Sequence, residues 1–183
     1  MTEEIIVAGF GGQGVLSLGM TLAYAAMTEN KEVSWMPSYG PEMRGGTANC
    51  ITIISDNRIS SPIVQNFGTV IALNQPSMDK FAPRVVKGGL LLYDSGTVSN
   101  PSVRTDIHIF GIPAAMEALQ LKNSRVQNMI MLGAFLKRKP LVLPDSLEVA
   151  LQHVLPEKYH RMIPLNLEAI RLGASLVPAE ITI

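Results

Sequence analysis

The chain carries one cysteine, Cys50, in 183 residues. A lone thiol forms no disulfide within the chain, and no cysteine set is present to hold zinc or an iron–sulfur cluster. The expected compartment is reducing, the cytoplasm. Charge is also scarce. Only 16% of residues are charged, and fifteen basic residues cancel fifteen acidic ones. This balance speaks against a nucleic-acid binder that relies on a positive field and against a polybasic membrane adhesin. Long apolar runs are missing too. The longest covers residues 15–27 and is broken by Ser17, Gly19 and Thr21, too short to cross a bilayer. The opening MTEEII carries acid where a secretory signal carries base. Neither repeats nor low-complexity segments occur. What the chain does have is apolar mass: 47% hydrophobic residues, enough for a sizeable core in one domain over residues 1–183. A chain this apolar and this neutral is expected to associate with partners, or as a homodimer when isolated.

Patterning predicts an α/β fold. Residues 5–8 are a short apolar run ending at glycines, a buried strand. Residues 15–28 read as a helix that is apolar on nearly every side, and so buried against the sheet and a neighbour or partner. Strands are expected at 33–36 and 48–55. No helix fits between them, so this pair is expected to be antiparallel. After the Asp56-Asn57 turn, residues 58–61 read as a brief returning edge strand. Alternation then resumes: strands at 70–73, 90–94 and 107–110, and helices at 77–86, 114–121, 126–137, 145–154 and 165–176, with Gly88-Gly89 turning the chain. Interleaved strands and helices indicate a three-layer, Rossmann-like domain around a mostly parallel, mixed central sheet.

Two loops carry chemistry. Gly9, Gly11 and Gly14 satisfy G-x-G-x-x-G between a strand and a helix. Glycines allow a tight turn and close backbone approach, and the helix N-terminus offers free N–H groups to an anion. A dinucleotide site would further want an acidic residue ending the second strand. That stretch is Ser34-Trp35-Met36-Pro37, and Glu32 precedes the strand. Three readings therefore stand: a nucleotide used by a stand-alone Rossmann-like oxidoreductase, a smaller anion, or a tight turn packed on a partner. The second loop, YGPEMRGG at residues 39–46, sets an unusual path through Gly40, Pro41, Gly45 and Gly46. Arg44 beside two glycines suits a phosphate or carboxylate, because its guanidinium forks onto two oxygens. Equally, Arg44 could pair with Glu42 to hold the loop. Both loops are expected to leave the C-terminal edge of the sheet, where ligands bind.

Other residues invite simpler readings. His153 and His160 are separated by Pro156 and need not share a helix face, so no metal site is expected. Asp94-Ser95 is taken to start a turn. Cys50 and most of the ten methionines are read as core, with Met36 and Met43 near the loops as interface.

Taken together, GFGGQGV at 9–15 and PSYGPEMRGGTAN at 37–49 resemble the gamma subunit of 2-oxoacid:ferredoxin oxidoreductases, the family acting on pyruvate, 2-oxoglutarate or 2-oxoisovalerate. The resemblance continues through Ser61-Pro62, Asn74-Gln75, Gly88-Gly89, Tyr93-Asp94-Ser95 and residues 128–134. It implies a multi-subunit enzyme of anaerobic metabolism that oxidatively decarboxylates a 2-oxoacid, reduces ferredoxin and yields an acyl-CoA. It also implies alpha, beta and ferredoxin-like delta partners holding thiamine diphosphate, Mg²⁺ and iron–sulfur clusters. The chain itself has no Gly-Asp-Gly segment followed by paired Asn for Mg–thiamine diphosphate, and one cysteine cannot hold a cluster. No catalytic residue is therefore expected here. The expected roles are assembly and contact with the substrate CoA through Gly9, Gly11, Gly12, Gln13, Gly14, Tyr39, Glu42, Arg44, Gly45 and Gly46. Residues 35–38 and Cys50 after Ala48-Asn49 look most like members acting on 2-oxoglutarate or branched-chain 2-oxoacids.

Overall fold

The computed structural model describes residues 1–39 and 47–178. Its strands are β1 (Thr2–Phe10), β2 (Glu32–Tyr39), β3 (Thr47–Ser55), β4 (Phe67–Ala72), β5 (Val85–Asp94) and β6 (His108–Ile112). Its helices are α1 (Val15–Thr28), α2 (Gln75–Phe81), α3 (Ala114–Gln120), α4 (Gln127–Arg138), α5 (Pro144–Val154) and α6 (Ile163–Ser175). The strands form one sheet in the order β2-β3-β1-β4-β5-β6. The β1–β4, β4–β5 and β5–β6 pairs are parallel, whereas β3 runs antiparallel to both its neighbours. The antiparallel β2–β3 pair follows from the missing crossover helix.

The two faces of the sheet are covered unequally. Ile5, Val7, Cys50, Ile54, Leu90 and Leu92 face a large core shared with α1, α3, α4, α5 and α6. Ile6, Ala8, Val70, Ala72 and Leu91 face a smaller core closed by α2 and the 3₁₀ turn Ala82–Arg84. Strand residues of alternating parity thus serve both cores, which is why these strands read as continuous apolar runs.

The large core depends on one close crossing. A Cβ at Gly133 of α4 would lie 1.9 Å from the Ile170 carbonyl oxygen, and one at Gly173 of α6 would lie 1.8 Å from that of Ile130. The two helices therefore touch backbone to backbone.

Some expectations need correction. Residues 58–61 form no strand. β3 is already paired on both sides, by β2 and β1, and the chain after Ser55 is held to the N-terminus instead. There the Met1 ammonium lies 2.7 Å from Asp56 Oδ2, and Asp56 N donates to Met1 O. Gly88-Gly89 does not separate two elements. It lies inside β5, opposite the register shift between Phe67 and Thr69, as a bulge. The helix expected at 77–86 is shorter. It begins at Gln75, where Asn74 Oδ1 caps Ser77 N at 2.9 Å, and gives way to a 3₁₀ turn around Pro83. The 3₁₀ segment Glu157–Met162 had no sequence signal. Among the described residues, no helix is long and apolar enough to cross a membrane.

Candidate functional site

β1 is buried and ends at Phe10, where the chain must turn into α1 within four residues. Gly12 and Gly14 make the turn with φ of 99° and 75°. Side chains rarely adopt that left-handed region, so the glycine pattern has a backbone cause here. Gly14 is also the N-cap of α1, at φ 75° and ψ 22°. The first-turn N–H groups of a helix have no intrahelical partner. The first turn of α1 lines a cavity of about 470 Å³ together with Phe10, Gly11, Gly12 and Ala48. Its wall is mainly apolar, with Ser17 supplying a hydroxyl. No lysine or arginine among the described residues lines it.

Gln13 shapes the loop from inside. Its Oε1 accepts from Phe10 N at 2.7 Å, and its Nε2 donates to the Leu73 carbonyl at 2.8 Å. Both ends of the amide are thus engaged on the protein, tying the glycine loop to the end of β4. Thr97 Oγ1 donates to the same carbonyl at 2.9 Å, so the loop after β5 is tied in as well. On the other flank, Asn128 Nδ2 donates to Gly14 O at 3.1 Å. A Cβ on Gly14 would lie 2.5 Å from that amide nitrogen.

Asp94 ends β5 and is fully buried. Its Oδ1 accepts from Gly96 N at 2.9 Å, the expected turn. Its Oδ2 accepts from Ala115 N at 3.1 Å and Gln127 Nε2 at 2.5 Å, so it also caps α3 and reaches α4. Burial pushes its carboxyl above the ordinary range despite these bonds. Asn128, Asp94, Gln127 and Thr97 had no local sequence signal for these roles, because each acts on a segment distant in the chain.

The second loop is anchored beside the first. β2 runs in the same direction as β1, and Tyr39 at its end pairs with Ala48. Thr47, where β3 begins, pairs with Phe10, and Ala48 pairs with Gly9. Of the two strand ends flanking residues 40–46, that of β3 therefore abuts the glycine loop, and that of β2 lies one strand farther out at the same edge. Glu42, Arg44, Gly45, Gly46 and Met43 lie outside the described residues, and Tyr39 is placed by its backbone.

The remaining candidates are structural. Cys50 is fully buried against α1, where its Sγ donates to Val15 O at 3.4 Å, and burial pushes the thiol up to about 12. Tyr24 stacks on His153 with centroids 5.6 Å apart, and His160 Nε2 bonds the Leu155 carbonyl. Among the described residues no group of three His, Cys, Asp or Glu could hold a metal ion. These donors do not fit an iron–sulfur cluster or Mg–thiamine diphosphate.

The geometry weighs against a dinucleotide. The strand beside β1 on the α1 side is antiparallel, so it presents its N-terminus, Thr47, at the glycine edge. A dinucleotide fold places there the C-terminal end of a parallel strand, with its ribose-binding carboxylate.

Comparison with known proteins agrees. Ketoisovalerate oxidoreductase subunit VorA of Methanothermobacter thermautotrophicus is 42% identical over 172 residues, which is 93% of this chain and 35% of that protein. The chain thus spans about a third of that relative's length. The 2-oxoglutarate synthase subunit KorC of Methanocaldococcus jannaschii is 34% identical over 160 residues, covering 86% of each chain. The keto/oxoacid ferredoxin oxidoreductase gamma subunit of Geobacter sulfurreducens superposes with a TM-score of 0.82 at 28% identity, covering 96% of both chains. The 2-oxoglutarate:ferredoxin oxidoreductase of Magnetococcus marinus, solved with 2-oxoglutarate, coenzyme A and succinyl-CoA, gives 0.87 at 25% identity over 96% of this chain and 31% of that one. The fold, the paired loops and residues 4–176, which match the model of the pyruvate ferredoxin/flavodoxin oxidoreductase family, lead to one conclusion: the chain belongs to that family, among its gamma subunits.

Proposed function

We propose that this chain, a single domain, is the gamma subunit of a 2-oxoacid:ferredoxin oxidoreductase in the cytoplasm and that it helps to bind coenzyme A. The complex oxidatively decarboxylates a 2-oxoacid, passes the electrons to ferredoxin and releases an acyl-CoA. Thiamine diphosphate, Mg²⁺ and the clusters belong to alpha, beta and ferredoxin-like delta subunits, since the donors here do not fit them. Branched-chain 2-oxoacids are the favoured substrates: identity to the ketoisovalerate subunit is 42%, against 34% to a 2-oxoglutarate subunit.

The observation that carries the coenzyme reading is the cavity at the start of α1. Unpaired N–H groups at a helix N-terminus attract an anion. The mostly apolar wall formed by Phe10, Val15, Leu16 and Ala48 suits the pantetheine arm that follows a CoA pyrophosphate. Arg44 supplies the cation that the described lining lacks, since its loop is bounded by Tyr39, which pairs with the cavity residue Ala48, and Thr47, which pairs with the cavity residue Phe10. The chain thus binds and orients the acyl acceptor, while bond-breaking occurs on partner subunits.

The test is co-expression with neighbouring genes and purification through a tag on this chain. A brown, cluster-containing complex with CoA-dependent oxidation of 2-oxoisovalerate is expected. In it, Arg44→Ala should raise the KM for CoA about tenfold or more, the loss of one charged hydrogen bond, with little change in kcat. An unchanged CoA dependence would remove Arg44 from the site. A colourless chain that binds NAD(H) alone would sink the whole reading.

A further inference from the structure

We infer that Asn128 and Asp94 are positioning residues for the glycine loop, acting through a closed circuit of hydrogen bonds and short main-chain links that includes the cavity residue Gly14. The inference rests on the coenzyme reading above.

The circuit can be followed link by link. Gly14 O accepts from Leu18 N at 2.9 Å, as a helix start requires, and also from Asn128 Nδ2 at 3.1 Å. Asn128 lies in the first turn of α4, next to Gln127, whose Nε2 reaches Asp94 Oδ2 at 2.5 Å. Asp94 is joined through its own turn to Thr97, whose backbone N donates to Asp94 O at 3.1 Å. The Thr97 hydroxyl donates to Leu73 O at 2.9 Å, and Gln13 Nε2 donates to that oxygen at 2.8 Å. Gln13 precedes Gly14, so the circuit closes. It links the loops after β1, β4 and β5 with the start of α4. The Ala115 N–H that Asp94 also accepts adds the start of α3.

Mere adhesion does not explain the circuit. Asp94 is 0% exposed and Asn128 is 4% exposed. A carboxylate buried this fully is costly to desolvate, and apolar side chains of similar size would hold helices to a sheet as well. Hydrogen bonds add direction, which dispersion lacks. The direction is spent on Gly14 O, the carbonyl of the left-handed residue that aims the first turn of α1 into the cavity. Neither Asp94 nor Asn128 lines that cavity, so their influence on a ligand passes through the loop.

The test compares Asn128→Asp with wild type in the purified complex by hydrogen–deuterium exchange of this chain and by CoA titration. The change keeps the shape but sets a carboxylate oxygen against Gly14 O. Amides of residues 10–17 should exchange about tenfold faster, and the Kd for CoA should rise by a similar factor. Exchange in β4 and β5 should stay at wild-type rates. Thr97→Val, which removes the hydroxyl from the opposite side of the circuit, should loosen the same amides by a smaller factor, and it keeps the test valid should Asn128→Asp fail to fold. Wild-type exchange at residues 10–17 in both variants overturns the positioning role, even if CoA binds. Faster exchange spread evenly over the chain overturns it too. A wild-type complex that binds no CoA, with the loop still loosened selectively by either variant, overturns the coenzyme reading and leaves the positioning role standing.

Discussion

At Gly133 and Gly173 an added Cβ would lie 1.9 and 1.8 Å from a carbonyl oxygen of the opposing helix, whereas at Gly12 it would meet nothing within 4 Å. The two regions need glycine for opposite reasons. In the α4–α6 crossing the backbone angles are ordinary and space is lacking. In the loop at the end of β1 space is free at Gly12 and the angle, φ 99°, is the constraint. The first is an interlock between two helices that carry much of the large core. The second shapes a surface that opens outward to a cavity. Fold and site thus draw on the same residue type through separate physics, and a substitution in each should act by a different mechanism.

The largest effect is expected at the crossing. Gly133→Ala should destabilise by about 3 kcal/mol, the upper end for overpacking, because the atom that must give way is backbone. A drop in Tm of roughly 10 °C follows for a chain of this size. A drop of only one or two degrees would mean that the helices separate easily and that the comparison is wrong on that side.

A smaller effect is expected at Gly12. Gly12→Ala should cost about 1–2 kcal/mol, the price of a left-handed backbone for a residue with a Cβ. The far-ultraviolet spectrum should not change, and CoA affinity should fall by more than stability does. Equal stability losses at Gly12 and Gly133 would erase the distinction.

The least perturbing probe is Cys50. It lies under the start of α1, bonded to Val15 O, with its thiol pushed up to about 12 by burial. In the native chain at pH 8 it should react with a thiol reagent at least ~10³ times more slowly than in denaturant, because only unfolded molecules expose it. Its raised value also has a sign for stability. The unfolded thiol ionises first, near the ordinary value of 9.0. Its contribution is therefore full below about 9 and is lost as pH rises towards about 12. Gly133→Ala should speed the reaction by about 10²-fold and Gly12→Ala by only about 5–30-fold, each in proportion to its loss of global stability. Reagent access in Gly12→Ala without unfolding would show that the loop and the core beneath it are one unit.

Much of the architecture was legible in local pattern. The apolar stretch between Gly14 and Glu29 marked α1 at the bounds it has, and the absence of a helix between β2 and β3 marked that pair as antiparallel. The glycine loop was legible in part: of the motif glycines, Gly14 is held by its positive φ and Gly9 by space, since a Cβ there would lie 2.7 Å from Gln13 Oε1, whereas Gly12, also at positive φ, falls at a variable position of the motif. Gln13 shows where pattern stops. It sits at a variable position of the motif, and nothing local reveals that its amide is turned inward to Phe10 and Leu73. The returning strand at 58–61 was misread because sequence alone does not show that β3 already has two neighbours.

By itself, then, the sequence determined the alternation of elements, the tight turn into α1 and, with one cysteine, too few thiols for a cluster. These depend on residue type and short spacing. Only the tertiary structure decided that β3 would lie between β1 and β2, bringing the ends of both glycine-rich loops together. It also decided that Asn128, 114 residues away, would bond the Gly14 carbonyl, and that Gly133 would meet the backbone of α6. Those contacts join segments far apart in the chain. Such partners are chosen by how the whole core packs, which no local window contains.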